Sequence, residues 1–375
     1  MVAMVTETFT ASARGALTGP PLRALAALVT ASLLAGCGTA YVWQATSGEY
    51  HVLHAREPIA KVIADPATKP AVRERLEVVE SARKFASADL GLPDNKSYTS
   101  YADIGRPYVV WNVVAAPEFS LTPHHWCFPV AGCVAYRGYF SEEQARAFAA
   151  HRAVAGDDVA IDGVPAYSTL GKFADPVLSS MLRYGDDELV AMIFHELAHQ
   201  LIYVKDDSAF NEAFATTVED AGLERWLKAQ GKPERMAQFL KEQERAQRLI
   251  ELLAAGRAEL IRLYGSGVPP AVMRERKAAI LHQLGVRIAA FERTEGVSYP
   301  LYDEWVSKGL NNARLASVAT YYDCVPGLMK ILAQEDNDLP RFYAAVRELA
   351  GRTRAARHAQ LCPADAATEQ DDAGD

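Results

Sequence analysis

The stretch His195-Glu196-Leu197-Ala198-His199, with Glu212 thirteen residues after it, decides how this chain folds and which chemistry it can carry. Residues four apart on an α-helix lie one turn above each other, so the imidazoles of His195 and His199 point in one direction. Two imidazoles placed in this way can share a Zn²⁺ ion, and Glu196 can then take a proton from a water molecule at the metal. The pattern predicts a helix that carries a catalytic zinc site.

The residues around this motif predict that its helix is buried. Apolar side chains flank the motif, and Asp186, Asp187 and Glu188 lie where the amino terminus of a helix favours negative charge. Buried imidazoles and carboxylates are costly unless they are paired, and a shared metal ion removes that cost. The alternative is a helix whose two histidines are satisfied by ordinary hydrogen bonds.

A second helix, expected over residues 209–230, supplies further carboxylates after the loop Lys205-Asp206-Asp207-Ser208. Glu212 is the predicted third ligand. Glu219, two turns later on the same face, is predicted to hold the outer nitrogen of a ligand histidine. Two alternatives stay open, because Glu219 could itself be the ligand or could be an acid on a solvated helix face.

The segment Phe210-Asn211-Glu212-Ala213-Phe214-Ala215 is similar to the Asn-Glu-Gly-Phe-Ala segment of zinc aminopeptidases of the aminopeptidase N type. Its Asn-Glu-Ala part also resembles thermolysin. Both groups are gluzincins, and the resemblance implies that Glu212 is the third zinc ligand, with Asn211 supporting the ligands from outside. The link between His199 and Glu212 is shorter here by several residues than in those families.

Five segments of the chain carry a further resemblance and keep their order, namely residues 126–133, 136–140, 166–171, the zinc motif and residues 311–315. On these segments the whole chain resembles the putative aminopeptidase family of bacterial lipoproteins, which implies a gluzincin peptide hydrolase with one Zn²⁺. In related enzymes a downstream Tyr or His stabilises the oxyanion, so Tyr321 and Tyr322 are the candidates here, although either could simply be packed in a helix.

The first 36 residues are predicted to be a lipoprotein signal peptide. Arg14 and Arg23 supply positive charge, and the apolar stretch 24–35 is too short to span a bilayer. Leu34-Ala35-Gly36-Cys37 is a bacterial lipobox, in which the Cys37 thiol is acylated. We therefore expect a lipid-anchored protein of the cell envelope, at the outer membrane and facing the periplasm. The alternative is an ordinary secretory signal with an incidental cysteine.

The four remaining cysteines are predicted to form two disulfides, because exported proteins lie in an oxidising compartment. Cys127 and Cys133 flank a Pro-Val-Ala-Gly turn and can close a short loop, which leaves Cys324 to pair with Cys362. Cys127 and Cys133 could instead bind zinc together with the histidines at 124 and 125. This alternative is weaker, since adjacent histidines rarely bind one metal ion together.

Helical periodicity predicts a mostly helical α+β protein. Strand-like segments between residues 108 and 170 predict a small mixed sheet packed on the zinc-binding helix pair, with an additional helical lobe. The segment 166–171 is the predicted edge strand, where Ala166, Tyr167 and Ser168 pair with an extended substrate, although an interior strand without substrate contact is nearly as well supported. The expected helices cover residues 70–90, 142–155, 187–204, 209–230, 233–264, 270–295 and 339–359.

These features divide the chain into a signal peptide (1–36), a tether (37–68), a metallopeptidase domain (69–362) and an acidic tail (363–375) that is predicted to be disordered. We expect the sheet at about residues 100–180 and the helical part at 186–362. The net charge is −8 and no basic face predicts a nucleic-acid partner. The charged run 241–248 is more typical of a solvated helix face than of a coiled coil.

The expected partners are a peptide substrate and the membrane, the latter through the lipid anchor. An aminopeptidase is the first expectation, but no sequence motif places a carboxylate for a free α-amine. An endopeptidase or oligopeptidase of the same mechanism stays open, as does a non-catalytic zinc-containing scaffold or chaperone. The intact Glu196 argues against the scaffold.

Overall fold

The computed structural model describes residues 40–128, 132–296, 309–322 and 324–362, without the side chains of residues 319–322. The predicted signal peptide, Cys37 and the acidic tail lie outside the described residues. The segment predicted as a tether is built into the fold from residue 40 onward, where the side chains of Glu49 and Val52 are buried. No helix in the described ranges is both long enough and apolar enough to cross a membrane.

The described chain is mostly helical with small mixed sheets, which confirms the predicted α+β class. Its helices are α1 (40–54), α2 (Ile59–Ala64), α3 (Pro70–Ala88), α4 (Glu142–Val154), α5 (Asp186–Leu201), α6 (Ser208–Ala229), α7 (Pro233–Tyr264), α8 (Pro270–Glu295), α9 (Asn312–Tyr322), α10 (Val325–Gln334), α11 (Leu339–Ala350) and α12 (Arg354–Leu361). Its strands are β1 (Arg56–Pro58), β2 (Ser100–Ala102), β3 (Val110–Ala116), β4 (Trp126–Phe128), β5 (Gly132–Val134), β6 (Arg137–Tyr139), β7 (Asp158–Val164) and β8 (Val177–Leu178).

Three small sheets replace the single sheet that the sequence predicts. In the first, β2 lies between an antiparallel β1 and a parallel β8. In the second, β3 pairs antiparallel with β6 and with β7, and α4 packs on it. The third is the hairpin of β4 and β5, closed by a disulfide between Cys127 and Cys133.

The predicted edge strand at 166–171 is wrong, because the structure ends β7 at Val164 and pairs none of these residues as a strand. Pro165 has no amide hydrogen to continue the ladder. The Thr169 amide and hydroxyl instead donate to the buried carboxylate of Asp175, at 2.9 and 2.7 Å. This side-chain contact replaces strand pairing and folds the segment into a loop.

The single helix expected over 339–359 is also wrong, since the structure divides it into α11 and α12. Gly351 is the residue at which α11 ends, and the Thr353 side chain accepts a hydrogen bond from the Ala356 amide at the start of α12. A break of three residues therefore turns the chain, which allows α12 to pack against α10.

The helix pair α5 and α6 lies in the main hydrophobic core and brings the two halves of the sequence motif together. Gly222 of α6 permits close approach, since a Cβ atom there would lie 2.8 Å from Phe194 of α5 and 2.9 Å from Leu90. Two ion pairs fix the first turn of α5, one from Arg75 of α3 to Asp186 and one from Arg235 of α7 to Asp187. Helices from both sides thus hold α5 against α6.

Candidate metal centre

Three side-chain donor atoms from α5 and α6 meet in one small buried space. The Nε2 atoms of His195 and His199 lie 3.2 Å apart. The Oε2 atom of Glu212 lies 3.4 Å from the first and 3.6 Å from the second. His199 and Glu212 are 8% and 9% exposed, so solvent does not separate these atoms.

This triangle of atoms fits a tetrahedral zinc ion. Bonds of 2.0–2.1 Å in a tetrahedral site place the ligand atoms about 3.3 Å apart, close to the three separations in the structure. The donor set, two imidazoles and one carboxylate, is also the set that leaves a catalytic zinc site with one open position. Among the described residues, the geometry therefore identifies a site in which a zinc ion would contact His195, His199 and Glu212.

Glu219 occupies the outer side of the site. Its Oε2 atom accepts a hydrogen bond from Nδ1 of His195 at 2.9 Å, opposite the Nε2 atom that faces Glu212. This contact fixes the ring orientation and leaves the Nε2 lone pair free for a metal. The geometry places Glu212, rather than Glu219, beside both Nε2 atoms. The Nδ1 atom of His199, by contrast, makes no hydrogen bond to any residue that the structure describes.

The electrostatics of the site favour a bound cation. Burial raises the pKa of Glu212, but the charges and hydrogen bonds of His199 and His195 outweigh it and hold the pKa below its usual range. Burial lowers the pKa of His195, yet its hydrogen bonds to Glu212 and Glu219 raise it well above normal. Without a metal, Glu212 and Glu219 therefore favour a protonated His195 imidazole, so the carboxylates stabilise a positive charge at this site.

The pKa of Glu196 is raised, first by burial and further by the neighbouring carboxylates Glu212 and Glu219, against the opposing effect of the two histidines. A raised pKa makes this carboxylate a stronger proton acceptor than an exposed glutamate. Its carboxylate interacts electrostatically with both histidines and with Glu212, so it lies near the triangle of donor atoms.

Tyr136 is a site residue that the sequence analysis missed as such, although its segment 136–140 contributed to the family resemblance. It lies between β5 and β6 and packs against Val114, Ala116 and Ala313. Burial raises the pKa of its phenol, and the charges of Glu212 and Glu196 raise it further. The phenol is therefore within electrostatic reach of Glu212 and Glu196, and its raised pKa favours the protonated form.

The predicted substrate-binding segment lies beside α5 as a loop. The Ser168 hydroxyl accepts a hydrogen bond at 3.4 Å from Gln200, the residue after His199. Tyr167 donates to the buried Glu49 of α1 at 2.5 Å, and Ala166 is buried in the core. Of the three, Ser168 is the residue with a side-chain hydrogen bond to α5, the helix of His195 and His199.

The other sequence-predicted positions fall at the edges of the site. Asn211 lies next to Glu212, but its side chain bonds both backbone groups of Val204, each at 2.7 Å, and so fixes the loop between the helices. The side chains of Tyr321 and Tyr322 lie outside the described residues, while their helix α9 packs against α6.

Both expected disulfides are present, between Cys127 and Cys133 and between Cys324 and Cys362. The alternative zinc site at Cys127 and Cys133 is therefore wrong, because the sulfur atoms are bonded to each other. His358 lies close to the second pair, but disulfide sulfur does not provide the thiolate ligands that zinc requires.

Comparison with known protein families identifies the family of this chain. A family model described as "Putative aminopeptidase" matches residues 40–361, most of the chain. The chain belongs to this family. The matched range contains every residue of the metal centre, and the family's description points to peptide hydrolysis. Neither the curated proteins nor the solved structures include a significant match to the chain.

Replacement of Glu219 by alanine is expected to weaken zinc binding, because His195 loses the contact that orients its ring. Loss of such a partner typically costs about 10- to 100-fold in metal affinity. Competition with a chromophoric chelator measures the effect, and Glu224→Ala on the exposed face of α6 is the matched control. Equal zinc affinities in the two variants would contradict the assigned role of Glu219.

Proposed function

We propose that this protein is a zinc-dependent peptide hydrolase of the gluzincin type, and an aminopeptidase in the first instance. The observation that carries the proposal is the triangle of His195, His199 and Glu212 donor atoms, with separations of 3.2–3.6 Å. Glu196 beside this triangle supplies the acid–base group, and membership of the family supplies the substrate class.

The residues of the site have separate roles in the proposed reaction. A bound zinc ion would polarise the scissile carbonyl and lower the pKa of a water molecule. Glu196 takes the proton of that water and passes it to the nitrogen of the leaving amine, which its raised pKa favours. Glu219 keeps His195 in the orientation that the metal requires.

Tyr136 is the proposed donor to the oxyanion that develops on the carbonyl. Its phenol stays protonated because burial and the charges of Glu212 and Glu196 raise its pKa. A neutral O–H group in a buried site stabilises developing negative charge without the cost of ionisation. The earlier candidates Tyr321 and Tyr322 remain predictions for the same role.

Replacement of Glu196 by glutamine is expected to lower peptide hydrolysis strongly and to leave zinc binding intact. The glutamine amide has the shape of the carboxylate but cannot accept the proton of the water molecule. The rate should fall by about 10²- to 10⁴-fold. Purified protein is assayed on peptides with a free α-amine and on amine-blocked peptides, and Glu188→Gln in the exposed first turn of α5 is the control.

The same assay separates the candidate functions. Cleavage of free-amine peptides alone supports an aminopeptidase, and cleavage of both kinds supports an endopeptidase or oligopeptidase. A wild-type protein that binds zinc but cleaves neither kind would contradict a hydrolase and favour a scaffold. Undiminished turnover in the Glu196→Gln variant would contradict the mechanism.

Replacement of Tyr136 by phenylalanine is expected to lower kcat with little change in KM, since the phenol acts on the transition state rather than on the bound peptide. Loss of one oxyanion donor costs about 10²- to 10³-fold in kcat. Tyr139→Phe, three residues later in β6, is the control, because it removes a hydroxyl from a separate core cluster that contains Trp111 and Val113. A kcat equal to that of the wild type would exclude this role for Tyr136.

Localisation to the cell envelope is a further part of the proposal. The lipobox ends at Cys37, three residues before the described helix α1, so an acyl anchor there would hold the catalytic fold close to the membrane surface. Cys37→Ser is expected to move the protein from the membrane fraction to the soluble envelope fraction. A variant that stays in the membrane fraction would contradict lipid anchoring at Cys37.

A further inference from the structure

The loop of residues 202–207 joins α5 to α6 and therefore sets the distance between the two halves of the metal centre. Contacts from separate parts of the chain hold it. The Cys133 amide, in the disulfide-closed hairpin, donates to Asp206 at 2.5 Å. The Asn211 side chain holds Val204 from within α6. The third set of contacts joins Asp207 to Arg357 and His358, which lie 150 and 151 residues later in the sequence.

The Asp207 carboxylate of this loop accepts four hydrogen bonds. The residue is 1% exposed, and its Oδ1 atom accepts hydrogen bonds from Nε2 of His358 at 2.7 Å and from the Phe210 amide at 3.3 Å. Its Oδ2 atom accepts two more from the guanidinium of Arg357, at 2.9 and 2.7 Å. One carboxylate thus caps α6 and binds two side chains of α12.

The two partners of Asp207 are themselves fixed. Arg357 is 4% exposed and His358 is 2% exposed, so the cluster of Asp207, Arg357 and His358 is buried as a unit. A disulfide joins Cys362, at the end of α12, to Cys324, at the start of α10, and α10 also packs against α6. The covalent bond therefore keeps α12 in contact with the cap of α6.

The cap and the metal ligand belong to one helix. Glu212 lies five residues after Asp207, slightly more than one turn along α6. The donor atoms of the metal centre are separated by only 3.2–3.6 Å, so a small shift of this first turn changes the ligand geometry. A buried carboxylate with several charge-assisted hydrogen bonds is suited to prevent such a shift.

We propose that Asp207, Arg357 and His358 are positioning residues for the metal ligand Glu212, and that the Cys324–Cys362 disulfide maintains zinc affinity by holding them in place. The inference rests on the metal site of the proposed function. None of the three residues is a ligand, so the effect on zinc is indirect. The α12 helix then serves as a distant support for the metal centre.

The test is the zinc affinity of full-length Asp207→Asn, measured by competition with a chromophoric chelator. The amide oxygen can still cap α6, but the charge that Arg357 and His358 require is lost. Zinc affinity is expected to fall by about 10-fold or more, as for other residues that orient ligands. Asp338→Asn is the matched control, since Asp338 caps α11 with an exposed side chain that pairs with Arg341 of the same helix, and its zinc affinity is expected to stay unchanged.

Three further variants keep the test decisive if Asp207→Asn does not fold. His358→Gln retains a group that can donate to Asp207 and is expected to weaken zinc binding less than His358→Ala. The double variant Cys324→Ser, Cys362→Ser leaves all ligands intact and is also expected to bind zinc more weakly. Unchanged zinc affinity in these folded variants, even with a lower Tm, would overturn the proposal because it would show a purely structural role.

The outcome is distinguishable from failure of the proposed function. A wild-type protein that binds zinc but hydrolyses no peptide would contradict the hydrolase, and the affinities of the variants would still decide the positioning role. A wild-type protein with no zinc affinity would overturn both.

Discussion

Three electronegative atoms face one another at 3.2–3.6 Å in a buried space, and the rest of the structure depends on this arrangement. Such a cluster is unfavourable unless a proton or a metal ion lies among the atoms, because the lone pairs of two imidazoles and a carboxylate converge there. Glu219 and Glu212 both place negative charge around His195, which raises its pKa in the metal-free site. The same charges would stabilise a bound metal cation.

The fold keeps these atoms together by fixing both helices at several points. Arg75 and Arg235 hold the start of α5, and Gly222 lets α6 approach it closely. The short connection between the helices is held from outside by the disulfide-closed hairpin and by α12.

Local sequence patterns were sufficient for the parts of the site and fold that depend on helical spacing. The spacing of His195 and His199 and of Glu212 and Glu219 corresponds to faces of single helices, as the structure has them. The bounds of α7 and α8 were also predictable, because each begins with a proline at its first turn and ends before a glycine.

The features that the sequence did not reveal depend on contacts between distant residues. His358 is 151 residues from Asp207, so no local pattern shows that they meet. Tyr136 is one of 16 tyrosines, and no local pattern in the sequence marks it as a site residue. Its closeness to Glu212 and Glu196 follows from its place between β5 and β6. The loop at 166–171 contains the aromatic Tyr167 and the β-branched Thr169, residue types that are common in strands. The buried Asp175 instead binds the Thr169 amide and hydroxyl, and the segment forms a loop.

The most direct measurement is X-ray diffraction from crystals of the purified protein at wavelengths on both sides of the zinc absorption edge. The geometry predicts one anomalous peak that lies about 2.0–2.1 Å from Nε2 of His195, Nε2 of His199 and Oε2 of Glu212, with Glu219 on the outer nitrogen of His195. A zinc-replete crystal with no peak between α5 and α6, or with Glu219 in place of Glu212 as the ligand, would contradict the metal centre described above.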